Sequence, residues 1–143
     1  MYTFLFVLGS FLTAALASSS QPIPKSNKQK FCESDFVGTF TVWGKGENYT
    51  HVFYNGLTHE IFKTDGSIKT GSLITVFTNR LKEHSGICWF ESGKKYLING
   101  ASANGSLFIS TSDAISVDEW TTIPDDTKKP LRDGTYLPCQ KKE

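Results

Sequence analysis

Phe36-Val37-Gly38-Thr39-Phe40-Thr41-Val42-Trp43 sets Phe36, Gly38, Phe40 and Val42 against Val37, Thr39, Thr41 and Trp43, and it is rich in β-branched and aromatic types. A period of two sends each set to one side of a pleated ribbon, so the stretch reads as a β-strand. Gly44–Asn48 interrupts the pattern and Tyr49–Tyr54 resumes it, which predicts a hairpin. Asn55-Gly56 then carries the local signature of a type I′ turn before Leu57–Lys63; the competing reading is one strand that bends or bulges at Gly56. Further strands are predicted at Ser72–Thr78, after the loop Thr64–Gly71, at Lys95–Ala101 and at Ser106–Thr111, with a turn at Ala101–Gly105. Helical signal sits only at the two ends. One helix is predicted over Ser26–Ser34, and another from Pro124-Asp125-Asp126, acidic at its positive end, to Arg132 ahead of Gly134. Five short strands must hide their edges. The fold expected is therefore mostly β: a five-stranded OB-type antiparallel β-barrel with short helices at the N- and C-terminal ends.

The chain opens with an apolar run from Phe4 to Leu16 and a small-x-small signature at Ala15-Leu16-Ala17, which reads as a secretory signal over residues 1–17. The run is shorter than the roughly 20 residues needed to span a bilayer, so no membrane association is expected after its removal. Residues 18–30 are polar and proline-bearing and read as a flexible tail. Residues 31–139 form the domain, and 140–143 a C-terminal tail. The expected location is extracellular. Fifteen Lys and Arg against 14 Asp and Glu leave a net charge of +1, which argues against a nucleic-acid partner. Lysines bunch at Lys25, Lys28 and Lys30, at Lys94-Lys95, at Lys128-Lys129 and at Lys141-Lys142, enough for weak polyanion binding at most. The strand aromatics Phe40, Tyr54 and Phe77 are assigned to core packing rather than to base stacking. Two glycosylation sequons, at Asn48 and Asn104, fit the secretory route.

No catalytic pattern is present: His51, His59 and His84 lack the spacing of a zinc-protease helix, and neither a nucleophile elbow nor a phosphate-binding glycine loop occurs. No cofactor and no metal site are expected, and the chain is not read as an enzyme. Three cysteines, Cys32, Cys88 and Cys139, leave one unpaired in an oxidising compartment. A Cys32–Cys139 bond would bracket the domain, and in the chain-entropy model is worth about 4–5 kcal/mol. Cys88 would then remain as a small, buried, free thiol.

Phe31-Cys32-Glu33-Ser34-Asp35-Phe36-Val37, Ile61-Phe62-Lys63, Gly93-Lys94-Lys95-Tyr96-Leu97-Ile98, Leu107-Phe108-Ile109, Trp120 and Cys139 after Tyr136 resemble, in order and spacing, the netrin-like (NTR) domain of the tissue inhibitors of metalloproteinases. The match covers roughly residues 31–139. It implies the OB-type barrel, a continuous second strand through Gly56, a buried Trp120, and a domain-spanning Cys32–Cys139 disulfide. The inhibitors begin with Cys-x-Cys, whose free amine and carbonyl chelate the target's zinc. Here those positions are Ser20 and Pro22, the position facing the second cysteine falls near Ser112, and Cys88 loses its partner. Only Ser20 could stand at a metal, and only if it were the mature N-terminus. A divergent secreted member without Cys-x-Cys resembles the excretory-secretory netrin-like proteins of nematodes.

The resemblance thus implies a secreted protein-binding module whose partner is an extracellular protein, from host plasma or matrix. The alternative is a metalloendopeptidase inhibitor acting on a metalloproteinase. Contacts are expected on the loops Gly44–Asn48, Thr64–Gly71 and His84–Gly93, because loops on a rigid scaffold carry binding. The candidates are Lys45, Glu47, Asp65, Lys69, His84 and Trp89; Trp89 reads either as a core ring beside Phe90 or as an exposed anchor.

Overall fold

The computed structural model describes residues 23–141; the expected signal segment, Ser20 and Pro22 lie outside them. Helix α1 (Asn27–Glu33) leads into β1 (Phe36–Glu47), β2 (His51–Lys63), β3 (Leu73–Asn79), β4 (Lys95–Ala103), β5 (Ser106–Phe108) and α2 (Asp125–Arg132). Short 3₁₀ turns occupy Lys82–His84 and Trp120–Thr122. Helix α1 takes in the last residues of the segment expected as tail. Its N-terminus is capped by Ser26, whose hydroxyl accepts from the Gln29 N–H at 3.2 Å.

Strand β1 runs on through Glu47, correcting the expected break at Gly44–Asn48. The glycines survive in the strand for two reasons. Val42 opposes Gly56 while Gly44 opposes Asn55, leaving Trp43 as the extra residue of a bulge. At Gly46 a Cβ would come within 2.4 Å of the Phe53 ring, which covers the backbone there. The chain reverses instead at Asn48, whose Oδ1 accepts from the N–H groups of Thr50 (3.0 Å) and His51 (2.8 Å). Strand β2 passes straight through Asn55-Gly56. Gly56 is needed because a Cβ would lie 2.1 Å from the Thr41 carbonyl oxygen and 2.7 Å from the Phe40 ring. The Asn-Gly pair that does form the two-residue hairpin is Asn104-Gly105, with φ of 52° and 77°.

Hydrogen-bonded neighbours run β1-β2-β3-β5-β4 and back to β1, closing a barrel. Four seams are antiparallel and the β3–β5 seam is parallel, which corrects the all-antiparallel expectation. The reason is geometric: an odd ring of strands cannot alternate direction all the way round. Inside the barrel lie Phe36, Phe40, Val42, Val52, Tyr54, Ile74, Val76, Ile98 and Leu107. A second cluster (Phe31, Val37, Leu97, Trp120, Ile123 and Leu131) packs α1, α2 and the Trp120 turn against the outer side of β1 and β4. The bond between Cys32 and Cys139, with Cα atoms 5.4 Å apart, seals this layer. Lys63 reaches the end of α1 from β2, its Nζ donating to the carbonyls of Phe31 (3.1 Å), Cys32 (2.7 Å) and Ser34 (2.5 Å).

Candidate functional site

The end of the barrel where β1 and β3 finish and β4 begins is closed by the loop 80–94. Ile87 and Phe90 are buried as plugs, and Phe90 stacks on Tyr96 with centroids 3.9 Å apart. The Tyr54 hydroxyl donates to the Ile87 carbonyl at 2.8 Å, and the Thr78 hydroxyl accepts from the Ile87 N–H at 2.9 Å. Burial pushes the Tyr54 phenol up to about 12, so it remains a donor at ordinary pH. Gly86 fits because a Cβ would meet the Asn79 carbonyl oxygen at 2.1 Å. A loop plugged and bonded in this way is preorganised.

Between the two plugs stand Cys88 and Trp89. Trp89 is 38% exposed; its Nε1 donates to the Val117 carbonyl at 3.2 Å and the Lys82 Nζ lies 5.6 Å from its ring. Trp89 is therefore partly exposed at the surface rather than a core ring beside Phe90. Lys45 donates to the Cys88 carbonyl at 2.5 Å, tying β1 to the loop, and Glu47 faces Arg80 at 3.9 Å. The Cys88 thiol is half-buried rather than buried as expected, its Sγ donating to the Arg80 carbonyl at 3.1 Å. Trp43, 59% exposed, is joined to the loop through its carbonyl, which accepts from Ser92 Oγ at 3.5 Å. Leu81 adds a third exposed apolar side chain.

The structure thus brings Lys45, Glu47, His84 and Trp89 to one end of the barrel. It sends Asp65 and Lys69, on the β2–β3 loop, to the other. There Asp65 accepts from the hydroxyls of Ser102 and Ser67, each at 2.5 Å, and these bonds hold its carboxyl down at about 2. Its role is to clasp loop to barrel. Sequence reasoning missed Trp43, Leu81 and Lys82. Alternation with buried Val42 turns Trp43 outward, and no helix among the described residues covers it there.

Four of the bunched lysines are engaged. Lys25 pairs with Glu33 (2.7 Å) and Asp113 (3.2 Å), and Lys30 donates to the Ala114 carbonyl. Lys94 pairs with Glu91 (2.9 Å), and Lys128 lies over Trp120 at 4.6 Å. Both sequon asparagines, Asn48 and Asn104, are exposed, at hairpin tips on opposite ends of the barrel. His59 pairs with the Thr41 hydroxyl at 2.7 Å, and no group of His, Cys, Asp or Glu among the described residues is arranged to hold a metal ion. Among the described residues no helix is long and apolar enough to cross a membrane. No protein-family model matches the chain, and no curated protein matches it.

Proposed function

We propose that this chain is a secreted netrin-like module on an OB-type barrel that recognises an extracellular protein through the end bearing Trp89 and Trp43. The closed strand order with its parallel β3–β5 seam, the Cys32–Cys139 bond and the buried Trp120 support the fold assignment. The observation that carries the binding assignment is Trp89, held solvent-exposed between two buried residues of a plugged loop. The Val117 bond fixes the indole while part of its ring stays open to solvent, and tryptophan is over-represented among interface anchors because it desolvates a large area with little entropy loss. Lys45, Glu47, Lys82 and His84 supply a rim of both charge signs, suited to orienting a protein partner. Zinc chelation in the manner of the inhibitors lacks its Cys-x-Cys signature here.

The test is capture of plasma and extracellular-matrix proteins on the immobilised chain, followed by affinity measurement on whichever protein is retained. Trp89→Ala combined with Trp43→Ala is expected to abolish retention, whereas Asp65→Asn, at the opposite end, leaves it intact. Retention unchanged in the double variant would remove this end from the site. Nanomolar inhibition of a metalloproteinase by the secreted protein would place it with the inhibitors instead.

A further inference from the structure

Helices cover the outward side of β1, β4 and the second half of β2, where Phe62 meets Trp120 and Glu60 meets Arg132, but not that of β3, β5 and the first half of β2. Phe53, Phe77 and Phe108 stand there in one cross-strand row, Phe53 opposite Phe77 and Phe77 opposite Phe108. Ring centroids of Phe53 and Phe77 are 6.1 Å apart, and His51 meets Phe77 at 6.3 Å and Phe108 at 6.1 Å, edge-on to both. Phe77 is thus not the core residue expected, whereas Phe40 and Tyr54 are. The next row is polar: the Thr75 hydroxyl donates to Asn55 Oδ1 at 2.8 Å. That bond leaves the Asn55 amide nitrogen without a partner among the described residues. Beyond it Leu57 faces Leu73, which is 66% exposed.

We propose that this face is a stacking platform for a neutral oligosaccharide. The first argument is charge. His51–Leu57, Leu73–Asn79 and Ser106–Phe108 contain no Lys, Arg, Asp or Glu, so these strands bring no permanently charged side chain to meet phosphate, sulfate or carboxylate. Arg80, which follows β3, faces Glu47 at the rim. The second is chemistry. A pyranose offers a C–H face that packs on a ring and a rim of hydroxyls that must be hydrogen-bonded; the phenylalanine row meets the first need. Asn55 and the His51 Nε2 meet the second, since His51 Nδ1 is taken by the Thr50 hydroxyl at 2.8 Å. The third is size. Seven paired positions of β2 and β3 with three of β5 span at most about 20 by 15 Å, on the order of 300 Å² or less, well short of the roughly 800 Å² per partner of a stable protein interface. Strand pairing also leaves little edge here for a peptide to extend, since only the first three residues of β3, Leu73–Thr75, run beyond β5.

The experiment is a ¹H–¹⁵N NMR titration of the whole secreted protein with triacetylchitotriose, cellohexaose and laminarihexaose, alongside a heparin hexasaccharide and a thymidine hexanucleotide. The expected result is saturable shifts at the Phe53, Phe77 and Phe108 amides with at least one neutral sugar at millimolar or lower concentration. Phe77→Thr, which keeps strand propensity, is expected to weaken binding about fivefold or more. Phe108→Ser is a second variant, and unchanged amide dispersion certifies the fold of each. Tighter binding of the anionic probes overturns the proposal, as does the absence of saturable shifts with all three sugars. Concentration-dependent dimerisation abolished by Phe77→Thr would assign the face to a second copy and also overturn it. Trp89→Ala should leave sugar binding unchanged, so this outcome is separable from that of the protein-binding end.

Discussion

Replacing Cys32 and Cys139 together by alanine removes a link that spans 107 positions of sequence. The loop-closure relation gives about 16 cal/mol/K of unfolded-state entropy for a loop of that size, or about 4.7 kcal/mol at 25 °C. The native side of the comparison changes little. Both sulfurs are at the margin of the second cluster, and α1 stays docked through buried Phe31 and through Lys63. The expected loss is therefore close to the full 4–5 kcal/mol, a fall in Tm of about 15–20 °C for a domain of this size. Guanidinium unfolding of the oxidised protein and the variant measures it. The m-value should rise in the variant, because the uncrosslinked unfolded chain exposes more surface. Treatment of the native protein with reductant should reproduce both changes. A loss below about 1 kcal/mol, or an unchanged m-value, would refute the claim that the clasp acts by restricting the unfolded chain.

Lys63→Met removes the ammonium from the end of α1 and leaves the Cys32 and Ser34 carbonyls short of a donor; the expected cost is about 2–4 kcal/mol by denaturant unfolding. Asp65 should titrate near 2 by carboxyl ¹³C NMR, and Ser102→Ala should raise that value. Because the folded value lies below the unfolded one of about 3.9, the Asp65 contribution to stability is complete above pH 4 and is lost as pH falls toward 2. A wild-type carboxyl titrating near 4 would contradict this. Cys88 should react with a thiol reagent measurably in the native protein but more slowly than after denaturation, since its sulfur is half-buried against the Arg80 carbonyl. Equal rates would show the loop to be open.

The strands, the two end helices and the clasp were legible because each is written locally or by order along the chain. The alternation from Phe36 fixes β1, and Ser26 and Pro124 mark helix starts. Asn55-Gly56 and Asn104-Gly105 show where local reading stops. The two pairs are chemically alike, yet only the second turns. The first is held extended by β1, and its glycine answers to the Phe40 ring across the strand pair. Gly44 and Gly46 misled in the same way, since a bulge at Trp43 and the cover of Phe53 let β1 continue. The tryptophan-bearing end was half legible. Trp89, Lys45, Glu47 and His84 fall together because the barrel gathers loops there, while Asp65 and Lys69 share only a polar loop composition with them. The phenylalanine row could not be read at all, because it is assembled by register across three strands that are distant in sequence.

The clasp has a practical bearing on how the molecule can be presented. Cys32 adjoins Lys63, at the end of β2 remote from His51, and Cys139 is bonded to it, so the segments flanking both cysteines depart from one pole. The tryptophan-bearing end is the other pole. A label coupled to Lys28 or Lys141, which lie together beside Cys32, therefore sits at the pole away from Trp89. A surface coated through that attachment displays the indoles outward, whereas coupling through Cys88 would bury them against the support.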